Sequence, residues 1–84
     1  MDHQLFQEYI KEYTLEALEA TNQDVSQAAD YLQQKNKPGL LARDRQEKRA
    51  ALHRVQKVFD SSRNRSLWIV LKSLGLDDLA KDAL

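Results

Sequence analysis

Apolar residues recur at three- and four-residue steps along most of this 84-residue chain, the spacing of helices that bury one stripe. Leu5, Phe6, Tyr9, Ile10, Tyr13, Ala17 and Leu18 form the first stripe and predict a helix over 4–20. The polar string Thr21-Asn22-Gln23 breaks it, and Asp24 with Gln27 three residues later has the form of a capping box that opens a second helix, over 24–35. Val25, Ala28, Ala29 and Leu32 give that helix its apolar side, with alanines small enough for another helix to approach closely. Pro38-Gly39 then ends it, because proline lacks the backbone donor and disfavours helical geometry at Lys37.

The segment RDRQEKR (43–49) has no apolar residue, after which Ala51, Leu52, Val55, Val58 and Phe59 resume the stripe, so a third helix is predicted over 40–60. Arg43 with Glu47 and Asp44 with Lys48 are i,i+4 pairs, worth a few tenths of a kcal/mol each. Ser61 and Ser62 are placed to cap a fourth helix over 63–74, and Gly75 stands where a helix commonly stops in a left-handed turn. A short fifth helix follows over 77–83, with Leu76, Leu79, Ala80 and Ala83 on one side. The expected fold is all-α: one domain spanning 1–84, a small bundle of four to five helices.

Composition agrees with that reading, since two glycines, one proline and 31% charged residues favour helix nearly everywhere. The longest apolar run, Leu67 to Leu71, is far below the roughly 20 residues that cross a bilayer, and MDHQ does not begin a secretion leader. No membrane partner and a cytoplasmic location are therefore expected. With no cysteine, and only the distant pair His3 and His53, no metal site or other cofactor is expected. His3 falls in a terminal tail by this reading, and His53 on a surface. Catalysis is not expected either, because the chain has no thiol nucleophile, no Gly-rich phosphate loop and no HExxH.

The formal net charge of zero hides a division. Residues 1–34 carry one Lys against seven acids, whereas residues 35–72 carry eleven Lys and Arg against three acids. A nucleic-acid partner is thus compatible with the neutral total, because affinity for phosphates depends on where the cations lie.

Two stretches carry a family resemblance. Ala17, Leu18, Thr21, Asn22, Val25, Ser26, Ala28, Ala29 and Leu32 match a helix ending in Ala-Leu-x-x-Thr, a polar turn, then Val-Ser-x-Ala-Ala and a leucine. Ser66, Leu67, Leu71, Lys72, Leu74, Gly75 and Leu76 match a small hydroxyl residue, leucine, three variable positions, then Leu-Lys-x-Leu-Gly and an aliphatic. Together they resemble the helix-turn-helix of the Fis family, the factor for inversion stimulation and the C-terminal domains of enhancer-binding activators. The resemblance implies a bacterial or phage DNA-binding transcriptional regulator, dimeric, with the fourth helix reading duplex DNA. Two departures accompany it. Helix 3 interrupts the motif, where an ordinary helix-turn-helix has a turn of about 3–4 residues. Positions 68, 69 and 70, mostly polar or basic in the family, are Trp, Ile and Val. Ubiquitin-associated domains resemble the first stretch too, but their Met-Gly-Phe-type loop does not occur here and LKSLGL (71–76) stays unexplained by them.

The residues expected to meet DNA are Arg63, Asn64, Arg65 and Ser66 at the start of helix 4, with Lys72, Arg54 and Lys57 on phosphates. Leu67 to Leu71 covers the whole circumference of its helix, which predicts burial and makes Trp68 core or interface rather than a DNA contact. The alternative function is a protein-interaction adaptor or antagonist that meets its partner through Trp68, Ile69 or helix 3. A homodimer would use the apolar edge of helix 3, or helix 1 with Tyr9 and Tyr13.

Overall fold

The computed structural model describes residues 3–35 and 45–83, and among them the fold is all-α with five helices. These are α1 (His3–Ala20), α2 (Val25–Gln33), α3 (Arg45–Ser61), α4 (Leu67–Ser73) and α5 (Asp77–Asp82). The Pro38-Gly39 stop, residues 40–44 of the expected third helix, and the pairs Arg43–Glu47 and Asp44–Lys48 lie outside the described residues. His3, expected in a tail, is the first residue of α1.

The α1–α2 joint is built by its polar residues. Gln23 N–H donates to the Leu18 carbonyl at 2.8 Å, closing α1 through left-handed backbone at Asn22 (φ 54°) and Gln23 (φ 66°). The Thr21 hydroxyl donates to the Ala17 carbonyl at 2.7 Å, satisfying one of the acceptors that a helix end leaves over. Asp24 then caps α2, its carboxylate accepting the Gln27 N–H at 2.9 Å.

The long helix α3 is the centre of the bundle and packs on both α1 and α2, while α4 packs chiefly on α5 and less on the end of α3. Its buried side, Ala51, Leu52, Val55 and Phe59, meets a core that includes Ile10, Ala17 and Leu18 of α1 and Ala28, Ala29 and Leu32 of α2. The alanines at 17, 28, 29 and 51 are fully covered, so the small-residue positions are where helices come close. Tyr9 is buried too. The edges of α1 and α3 that were expected to hold a second copy are therefore largely spent inside one chain, with Tyr13 and Val58 only partly covered.

The expected start of helix 4 moves. Ser61 is the last residue of α3 rather than a cap, and Ser62 is buried one turn beyond Phe59. The Ser61 hydroxyl donates back to the Val58 carbonyl at 3.2 Å instead of capping a new helix. The cap position falls to Ser66, whose extended backbone starts α4 without a side-chain capping bond. Arg63, Asn64 and Arg65 consequently form a turn between α3 and α4, held by Arg65 N–H donating to the Ser62 carbonyl at 3.0 Å.

At the other end of α4, Gly75 has φ 75°, Leu76 N–H donates to the Leu71 carbonyl at 2.9 Å, and Gly75 N–H donates to that of Lys72 at 3.0 Å. A Cβ at Gly75 would meet nothing nearer than the Gln7 side-chain oxygen at 3.9 Å, so only backbone conformation resists substitution. Gly75→Ala should cost about 1–2 kcal/mol, the left-handed penalty for a residue with a Cβ, and urea denaturation checks it.

Candidate nucleic-acid interface

Because α3 buries Ala51, Leu52, Val55 and Phe59, its exposed residues are all polar, and Arg49, Arg54 and Lys57 are among them. Arg49, His53 and Lys57 stand four residues apart on one exposed stripe with Arg54 beside them. The turn after α3 adds Asn64, Arg65 and Ser66, all exposed. No described residue forms an ion pair with Arg49, Arg54, Lys57 or Arg65. Asp60 interrupts the stripe near its end, but its carboxylate faces Arg63.

Arg63 is placed differently from the expectation. Its Nη1 donates to Asp30 Oδ1 at 2.7 Å and to the Ser26 carbonyl at 3.3 Å, and its Nε donates to Asp60 Oδ1 at 3.1 Å. Bonds to the two carboxylates, that to Asp30 foremost, hold its pKa above the ordinary arginine value. The side chain joins α2 to the end of α3 through contacts that lie on the surface. Lys72 is partly committed too, with Nζ 3.5 Å from Asp77 Oδ1 and 5.9 Å from the centre of the Trp68 ring.

The apolar run on α4 does not bury its whole circumference. Val70 and Leu71 are buried, Leu67 and Ile69 are half-buried, and Trp68 remains 38% exposed. The reason is position: α4 has α5 and, to a lesser degree, α3 as its main helix neighbours. The two stretches of the family resemblance also sit in different neighbourhoods, α2 against α1 and α3, α4 against α5. Arg63 is the polar tie between them.

Between α1 and α2, Glu16 accepts hydrogen bonds from the Tyr31 hydroxyl, at 2.7 Å, and from Lys35 Nζ. These bonds, the Lys35 one first, hold Glu16 below its ordinary value of 4.5, and the same carboxylate raises the pKa of both Lys35 and Tyr31. The sign follows from proton binding. In the window between the lowered folded value and the ordinary one the unfolded chain holds more protons, so stability rises with pH there and is lost as pH falls through it. Urea midpoints between pH 3 and 6 should show that slope, and Glu16→Gln should flatten it.

Sequence spacing missed the Glu16–Tyr31–Lys35 group, because its members are joined only by the crossing of α1 and α2. It also passed over Arg49 and His53 as parts of the basic face, although their i,i+4 relation to Lys57 was a usable signal. Among the described residues no three His, Asp or Glu side chains gather as a metal site, and no helix is long and apolar enough to cross a membrane. Two shallow hollows are present, of about 180 Å³ beside Lys11 and Gly75–Leu79 and about 140 Å³ between Leu15, Leu18, Leu67, Leu71 and Leu79. Comparison with protein-family models, with curated protein sequences and with solved structures gave no match to this chain.

Proposed function

We propose that this chain is a small DNA-binding protein, a regulator that holds nucleic-acid phosphates with the outer face of α3 and the α3–α4 turn. The observation that carries the reading is the exposed set Arg49, Arg54, Lys57 and Arg65, none of which is ion-paired to a described residue. Solvated cations grouped on one face are what phosphate binding uses, since each contact releases a condensed counterion. Asn64 and the Ser66 hydroxyl lie in the same turn and add hydrogen-bonding groups. The Fis-like residues of α2 and α4 support the regulatory part of the reading.

The test is anisotropy of a labelled duplex of about 20 base pairs titrated from 50 to 300 mM salt. With four or five contacts, log K should fall linearly with log salt with a slope of about −4. A chain that shows no salt-dependent binding at 50 mM is not a nucleic-acid binder. Similar affinity for unrelated sequences marks the basic face as a phosphate clamp.

A second reading, a protein-interaction adaptor, is favoured by one observation. Arg63 already pairs with Asp30 and Asp60, and the outer side of α4 offers Trp68 and Ile69 where a reading helix would offer polar groups.

A further inference from the structure

Trp68 is the one large apolar side chain standing exposed among the described residues. It sits in the first turn of α4, three residues after Arg65, so the two backbones are within about 11 Å of one another. Lys72, one turn further along α4, brings its ammonium to 5.9 Å from the ring centre. The solvated Ser66 lies between Arg65 and the ring. An exposed aromatic ring with a cation on it, one turn of chain away from the exposed Arg65, is an arrangement that can take up a nucleic-acid base together with its phosphates.

Resting on the nucleic-acid reading above, we infer that Trp68 is a base-stacking platform and that the nucleic acid this protein holds is single-stranded, or has an unpaired base, where it crosses α4. Base faces are hidden inside a duplex, which shows only edges and phosphates to its surroundings. Edges are read by polar forks such as Arg, Asn or Gln. The outward residues of α4 are Trp68, Ile69, Lys72 and Ser73, and Lys72 is already partnered by Asp77. An indole instead complements the flat face of any base, and that face is available only where pairing is absent. Charge chooses this occupant over an apolar protein surface, because Lys72 lies over the ring, the turn that leads into α4 carries the exposed Arg65, and no further large apolar side chain stands exposed among the described residues.

As the only tryptophan, Trp68 reports its own contacts. The full chain is titrated with a thymidine 15-mer and, separately, with a closed hairpin duplex of equal phosphate count, following indole emission and the anisotropy of labelled strands. The expected result is quenching by the single strand, with tighter binding of it than of the duplex at the same salt. Trp68→Ala should weaken single-strand binding by about 5- to 150-fold, leave duplex binding unchanged and keep the circular-dichroism spectrum. Trp68→Phe should restore most of the affinity. Duplex bound as tightly as single strand with no change in emission overturns the stacking assignment and leaves the phosphate-clamp reading standing. Binding of neither overturns that reading and this inference with it. A Trp68→Ala chain with unchanged affinity for the 15-mer but lost self-association in sedimentation assigns the surface to a protein contact and also overturns the inference.

Discussion

Phe59→Ala should remove about 3–5 kcal/mol of folding stability, read as a lowered urea midpoint with an unchanged slope. Phe59 is fully buried on α3, the helix that packs on α1, α2 and the start of the α4–α5 pair. Truncation removes transfer free energy and leaves a cavity lined by residues already fixed by other contacts, so relaxation recovers little of the loss. A chain of this length has a total stability of about 4–13 kcal/mol, so the loss is at least about a quarter of the whole. Trp68→Ala is the matching control. Its side chain is more than one-third exposed, and it should shift the midpoint far less. Equal shifts for the two variants would show that α3 is not the centre of the core.

Replacing Arg49, Arg54 and Lys57 together by alanine should weaken nucleic-acid binding on the order of 10³-fold at 50 mM salt and reduce the salt slope by about 3, while thermal unfolding stays close to that of the parent. The three side chains are exposed and have no ion-pair partner among the described residues, so their removal takes little from the fold. Arg63→Ala should behave in the opposite way. Its guanidinium bonds Asp30, Asp60 and the Ser26 carbonyl, so its loss loosens the attachment of α2 to the α3–α4 turn and leaves the salt slope nearly unchanged. A triple variant that keeps the parent slope would remove α3 from the binding face, and an Arg63 variant that flattens the slope would restore that residue to it.

Much of the fold was legible from local pattern. The stripe from Leu5 to Leu18, the Asp24 cap, the Ala28-Ala29 close approach and the Gly75 stop all depend on spacing within one or two helical turns, and each has its expected place. The start of helix 4 was not legible. Ser61 and Ser62 have the chemistry of caps, but Ser61 stays in α3, its hydroxyl donating to the Val58 carbonyl at 3.2 Å, and the Ser62 carbonyl accepts the Arg65 N–H in the turn that follows. Two local uses for the same serines compete, and spacing alone does not choose between them.

The candidate site divides along the same line. That residues 35–72 are basic is a property of the sequence, and so is the i,i+4 relation of Arg49, His53 and Lys57. Which cations remain available is not, because Arg63 finds Asp30, 33 positions earlier, and Lys35 finds Glu16, 19 positions earlier. Such partners meet only when α1, α2 and α3 are assembled. The exposure of Trp68 is also a tertiary outcome. An apolar run around a whole helix predicts a cover on every side, but α4 lies at the end of the bundle, where α5 and the last turns of α3 are its main neighbours. By itself the sequence determined five helices, their apolar stripes and the uneven distribution of charge, because backbone hydrogen bonding and helical periodicity act over three or four residues. Only the tertiary structure decided which stripe was covered, which cation was neutralised and which tryptophan face met solvent, because each depends on chain segments that local spacing does not connect.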